Sequence, residues 1–206
     1  IILMSNLQVI DPQAKLAQKI VELSGYDMGI FFANSGAEAN EGAIKIARKY
    51  GETKFESKKF KVITLEHSFH GRTITTVKAT GQAAMHNYFG PFPDGFVYAD
   101  DIEQVESLLD DHTAGVMIEL VQGEGGVQPQ DKEAVQKLQK LLKSSNILLM
   151  VDEVQTGGYR TGEFLASQVY GLTPDVITLA KGIGGGVPIG VVMTSLKGVL
   201  SEGDHG

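Results

Sequence analysis

Three short runs carry residue types suited to chemistry. Lys181 follows the apolar stretch 176–179 and precedes Gly182-Ile183-Gly184-Gly185-Gly186. A primary amine at a strand end, among small residues, is poorly explained as a surface charge. Burial there would lower its pKa and expose a nucleophile; a phosphate-binding or plain surface lysine is the rival reading. Asp152 follows the apolar stretch 147–151. Its carboxylate could pair with a metal or a protonated ring nitrogen, or equally cap the turn at Gln155-Thr156-Gly157. Ser35-Gly36-Ala37 precedes a helical pattern. Gly36 lets backbone approach a ligand closely, and free amides at a helix start attract an anion, with Ser35 adding a hydroxyl; a plain N-cap is the alternative. The spacing is neither a Walker A loop nor a dinucleotide fingerprint, so a simple phosphate or mononucleotide is left and a nucleoside triphosphate is not supported. His67 and His70 lie three positions apart without a His-Glu-x-x-His pattern, and read as polar loop residues rather than metal ligands.

These runs need elements to position them. The pattern predicts helices over residues 11–24, 38–50, 102–109 and 131–144, with Asp11 as cap and Pro12 in the first helical position of the first. Strands are expected at 62–65, 96–98, 114–120, 147–151, 176–179 and 190–193, with 30–32 a strand or buried turn. Residues 73–79 read as strand or short helix, and 51–61 as surface loop. Strands separated by helices indicate an α/β three-layer sandwich with a mostly parallel central sheet. Ligands in such sheets gather beyond the carboxyl ends of the strands, where the runs at 35–37, 67–72, 152–155 and 181–186 fall. An anion cradle, an isolated acid and a reactive lysine on one sheet edge fit a phosphorylated aldehyde cofactor held as a Schiff base.

Composition narrows the field. The chain has 206 residues, a formal charge of −7 and no cysteine, which excludes disulfides, thiolate metal sites and thiol catalysis. Its mild acidity and lack of aromatic platforms argue against nucleic-acid binding. No apolar stretch reaches the roughly 20 residues that span a bilayer, and Ile1-Ile2-Leu3-Met4 is too short for a signal-peptide core. A cytoplasmic location without membrane partners is expected. Glycine supplies 25 of 206 residues, clustered rather than periodic, as tight turns and close backbone approaches require. There is no internal repeat or flexible linker, so residues 1–206 are expected to form one domain. A start at Ile1 and a loop-like run at 202–206 suggest a part of a longer protein.

The motifs Asn34-Ser35-Gly36-Ala37-Glu38-Ala39-Asn40-Glu41, Phe69-His70-Gly71-Arg72, Gln122-Gly123-Glu124-Gly125-Gly126, Asp152-Glu153-Val154-Gln155-Thr156-Gly157 and Lys181-Gly182 occur in an order that resembles the class III, fold-type I, pyridoxal-phosphate aminotransferases. The resemblance covers nearly the whole chain. It implies a covalent bond from Lys181 to pyridoxal 5'-phosphate and pairing of Asp152 with the pyridine nitrogen. It implies that Ser35, Gly36 and Ala37 hold the phosphate. Val154 and Phe69 would flank the ring, and Gln155 would contact the ring hydroxyl side. Arg72 and Glu124 would meet substrate, Arg72 through a carboxylate and Glu124 as a gate between two substrates. The implied reaction moves an amino group from N-acetylornithine or ornithine to 2-oxoglutarate, as in arginine biosynthesis. Branches using 4-aminobutyrate or succinylornithine, and the glutamate 1-semialdehyde aminomutases, share Lys181 and Asp152. Where the family often has Glu-Pro, this chain has Glu119-Leu120, and Tyr159 replaces a common glycine. Full-length relatives are roughly twice as long and dimeric, with an N-terminal segment and a C-terminal small domain. The chain is therefore expected to be most of a cofactor-binding large domain, a homodimer in its whole form and weakly active or inactive alone.

Overall fold

The computed structural model describes residues 9–204. The apolar run at 1–4 and the last two residues of the run at 202–206 lie outside them. The helices are α1 (Asp11–Ser24), α2 (Gly36–Lys54), α3 (Ile74–Ala79), α4 (Val105–Leu108), α5 (Lys132–Ser144) and α6 (Ala166–Tyr170). The strands are β1 (Gly29–Ala33), β2 (Lys61–Leu65), β3 (Phe96–Ala99), β4 (Thr113–Ile118), β5 (Val121–Gln122), β6 (Gln128–Pro129), β7 (Leu148–Asp152), β8 (Val176–Ala180) and β9 (Gly190–Thr194).

Seven strands form one sheet in the order β1-β9-β8-β7-β4-β2-β3. The pairs from β8 to β3 are parallel, and β9 runs antiparallel to both β8 and β1. Alternation along β7 shows the layering. Leu148 and Met150 pack with Ala43, Ile44 and Ala47 of α2. Leu149 and Val151 pack on the other face with Val135, Leu138 and Leu142 of α5. On that same face Ile20 of α1 meets Ile177, Leu179 and Val191. Both sheet faces are thus covered, which is why β7 is apolar from Leu148 to Val151 rather than alternating.

Several element bounds differ from those expected, each with a local cause. Ile10, not Asp11, is the N-cap of α1, and its side chain makes no capping bond. Pro12 is tolerated in the first turn, where amides lack partners anyway, so Asp11 already lies inside the helix. Helix α2 is longer at both ends. It starts at Gly36 because Ser35 Oγ accepts the Glu38 amide at 3.2 Å and Glu38 reaches back to the Asn34 amide at 2.6 Å. It runs through Gly51, where a Cβ would lie 2.0 Å from the Lys59 carbonyl oxygen. Residues 73–79 resolve as helix, capped by reciprocal bonds between Thr73 and Thr76. Helix α4 shrinks to one turn. Residues 102–104 ahead of it form a turn in which Asp101 accepts the Gln104 amide and Gln104 accepts the Asp100 amide, and Leu109 after it is extended with ψ of 139°. Strand β4 stops at Ile118, and the side chain of the following Glu119 accepts the Phe69 amide.

Candidate active site

Every residue singled out from the sequence as catalytic, cofactor-binding or substrate-binding lines one cavity of about 440 Å³ at the carboxyl ends of the parallel strands. Ser35, Gly36 and Ala37 sit at the start of the 19-residue α2, where Ser35 caps the Glu38 amide and the Gly36 and Ala37 amides are left to meet an anion. The backbone there is tightly seated. A Cβ on Gly36 would lie 2.8 Å from Val154 Cγ1, and one on Gly190 would lie 2.1 Å from the Ser35 carbonyl oxygen.

Asp152 ends β7 and is 3% exposed. Its Oδ2 accepts from Asn40 Nδ2 at 2.7 Å and faces His70 Nδ1 at 2.8 Å, while Oδ1 accepts the Val154 amide at 3.0 Å. An ionised carboxylate only accepts, so the proton in the His70 pair sits on Nδ1. Burial pulls the His70 pKa down. The hydrogen bond and charge of Asp152, with the charge of Glu119, outweigh that and leave it above the ordinary imidazole value. His70 Nε2 is buried and has no hydrogen-bond partner among the described residues. The adjacent Glu153 is fully buried and takes four donors: the Thr156 and Ser167 hydroxyls and the Ala166 and Ser167 amides. Those bonds hold the loop that carries Val154 and Gln155.

Lys181 directly follows β8 with φ of 52°, a left-handed conformation that is rare for a side-chain-bearing residue. Its Nζ donates to Gln155 Oε1. The side chain is exposed, so the burial expected for it is not provided by the described residues. Phe69 is half-buried, with the Arg72 guanidinium 5.6 Å over its ring. Glu124 is exposed in the turn between β5 and β6.

Three cavity residues escaped the sequence reading. His70 is not the polar loop residue expected but a buried partner of Asp152. Asn40 lies within a helix whose other buried positions are mostly apolar, and Glu119 follows an apolar strand. Glu119 gave no local signal beyond its place in the Glu119-Leu120 departure, whereas Asn40 sits in a quoted motif. A polar residue on an otherwise apolar face was the clue available for Asn40. Glu119 is 5% exposed, and its Oε2 accepts the Phe69 amide at 2.9 Å. Burial, aided by Asp152, pushes its pKa to about 7, against the opposing pull of His70, the Phe69 amide and Lys181.

A parallel sheet flanked by helices, with a lysine, a buried acid and a helix start meeting at its carboxyl edge, defines a class that comparison makes explicit. The family model described as aminotransferase class-III matches residues 1–206, and the chain belongs to that family. Its three-layer α/β architecture matches the fold-type I large domain. Among curated relatives, acetylornithine aminotransferase of Wolinella succinogenes is 66% identical over 203 residues, covering 98% of this chain and 52% of the relative. Acetylornithine aminotransferase of Methanocaldococcus jannaschii is 48% identical over 206 residues, covering 98% and 52%. The solved ornithine aminotransferase of Toxoplasma gondii, in which pyridoxal phosphate partially occupies the active site, superposes with a TM-score of 0.91 at 36% identity, covering 99% of this chain and 50% of that one. The chain spans about half the length of the curated relatives it matches.

Proposed function

We propose that residues 1–206 are the cofactor-binding large domain of a pyridoxal-phosphate aminotransferase that takes its amino group from N-acetylornithine or ornithine and gives it to 2-oxoglutarate. The observation that carries this is the meeting of Lys181, Asp152 and the start of α2 in one cavity. The residues present fit the cofactor. The α2 amides and Ser35 Oγ suit a phosphate. A carboxylate with donors on both oxygens suits a protonated ring nitrogen. Gly36, against the Val154 methyls, leaves a cradle that a larger residue would fill. When bound, pyridoxal phosphate supplies an aldehyde that bonds a primary amine and an electron-poor ring that stabilises charge on the neighbouring carbon.

This chain's own residues would do the rest. Asp152 Oδ1 and Oδ2 would keep the ring nitrogen charged. Phe69 and Val154 would hold the ring plane and exclude water from its faces. Lys181 Nζ would move a proton from the amino-bearing substrate carbon. Arg72, at the rim, would pair with a substrate carboxylate and Glu124 with the distal part of the donor. The similarity to acetylornithine aminotransferases supports that donor over the other branches, and the family resemblance supports a cytoplasmic homodimer. Lys181, Gln155, Arg72 and Glu124 are all exposed. That openness favours a chain that holds cofactor but transaminates weakly by itself.

The test is an absorbance spectrum after adding pyridoxal phosphate to the wild type and to Lys181→Ala, followed by borohydride reduction and peptide mass analysis. A new visible band in the wild type alone, with the pyridoxyl mass at Lys181, is expected. Acetylornithine should then bleach the unreduced band and 2-oxoglutarate restore it. No band, or a pyridoxyl mass at another lysine, would overturn the assignment.

A further inference from the structure

Asn40 lies one turn into α2, just after the anion cradle, and its side chain belongs to a residue only 1% exposed. Each of its polar atoms is aimed at a different part of the site. Nδ2 donates to Asp152 Oδ2 at 2.7 Å and to the His70 carbonyl at 2.7 Å, and Oδ1 accepts the Thr178 hydroxyl at 2.7 Å. The amide has one workable orientation, because two acceptors can be met only by its NH2 group and a hydroxyl donor only by its oxygen. Thr178 lies on β8, on the same strand that leads into Lys181. One side chain therefore joins the start of α2, the end of β7, the loop carrying Phe69 and His70, and the strand that ends at the lysine.

The cradle belongs to a helix and the acid to the sheet beneath it. Among the described residues, Asn40 is the one side chain of α2 hydrogen-bonded to Asp152. A rigid ligand gripped at two ends requires those ends to keep a set separation, and small misplacements are costly. We propose that Asn40 is a positioning residue that sets the place and rotamer of Asp152 relative to the start of α2, so that phosphate and ring nitrogen are engaged together. The proposal rests on the cofactor reading of the cavity.

Three variants test it in the 206-residue chain. Asn40→Asp keeps the shape and removes the NH2 donor, Asn40→Ser shortens the side chain, and Thr178→Val frees the amide oxygen while also removing a long 3.5 Å contact from the Thr178 hydroxyl to Asp152 Oδ1. Pyridoxal phosphate affinity is measured by absorbance titration, and inorganic phosphate affinity by competition. Loss of a hydrogen bond to a charged group predicts at least about tenfold weaker pyridoxal phosphate binding in both Asn40 variants. Inorganic phosphate, which reaches only the cradle, should change by less than about twofold, whereas general damage to α2 would weaken both ligands together. Equal losses for the two ligands, or unchanged pyridoxal phosphate binding, would overturn the proposal. Should the Asn40 variants fail to fold, Thr178→Val carries the same selective expectation and the same refutation. Should the wild type bind no pyridoxal phosphate, the cofactor reading fails by itself, and exchange of the His70 Nδ1 proton, followed by NMR without ligand, judges Asn40. Exchange at least about tenfold faster in Thr178→Val supports its hold on Asp152, and an unchanged rate sinks it.

Discussion

Glu119 offers the sharpest quantitative test, because its predicted effect depends on pH and a change of shape does not. Its carboxyl is buried beside Asp152 and titrates near 7 instead of 4.5. Between these values the folded chain keeps a proton that the unfolded chain has released. Stability from this group is complete below about 4.5 and is lost as pH rises, with the loss complete somewhat above 7. At about 1.4 kcal/mol per pH unit, the window is worth about 3 kcal/mol. Glu119→Gln removes the titration while its amide oxygen still accepts the Phe69 amide. The stability difference between variant and wild type should be near zero around pH 4.5 and reach about 3 kcal/mol in the variant's favour by pH 8. For a chain of this size that is a shift of about 6–12 °C in Tm. His70, whose pKa is raised in part by the Glu119 charge, is coupled to this carboxyl, so the difference between variant and wild type reports the titration of the pair. Calorimetric melts without cofactor at four pH values from 4.5 to 8 measure it. A difference constant to within about 0.5 kcal/mol over that range, or one that grows toward acid, would refute the buried-carboxyl reasoning.

Two further substitutions probe the scaffold. Gly190→Ala places a Cβ 2.1 Å from the Ser35 carbonyl oxygen, backbone that cannot swing aside, so about 3 kcal/mol of stability and the cofactor affinity should both fall. Gly36→Ala meets side chains alone, the Val154 methyls from 2.8 Å and Ala180 Cβ at 3.4 Å, and should spare most of the stability; equal melting losses for the two would contradict this contrast. Glu153→Gln sets an NH2 group against two of the four donors that the buried carboxylate now accepts, and should cost about 3 kcal/mol in urea unfolding. A loss below about 1 kcal/mol would show that the loop relaxes around the new amide.

Local order in the chain was enough for much of the architecture. The apolar runs became β7 and β8, the amphipathic pattern at 131–144 became α5 with Asp131 as its N-cap, and Gly25 closed α1 in the left-handed conformation. Elements failed at their ends, where neighbours unseen in a local window decide. Helix α2 continues through Gly51, where only a glycine fits against the Lys59 backbone, and α4 keeps one helical turn after the turn at 102–104 that Asp101 and Gln104 close.

Residue types and their spacing, read along the chain, were sufficient to single out Lys181, Asp152 and the Ser35 run, since a reactive amine, a lone acid and a helix start each carry their chemistry in a few adjacent residues. Assembly of those groups around one cavity, and the recruitment of Asn40, His70 and Glu119, was decided only by folding. The bond from Asn40 to Asp152 joins residues 112 positions apart, and the amide from Phe69 to Glu119 joins residues 50 apart. A buried polar side chain takes its role from the partner that desolvation forces it to find, and sheet packing rather than the local pattern chooses that partner.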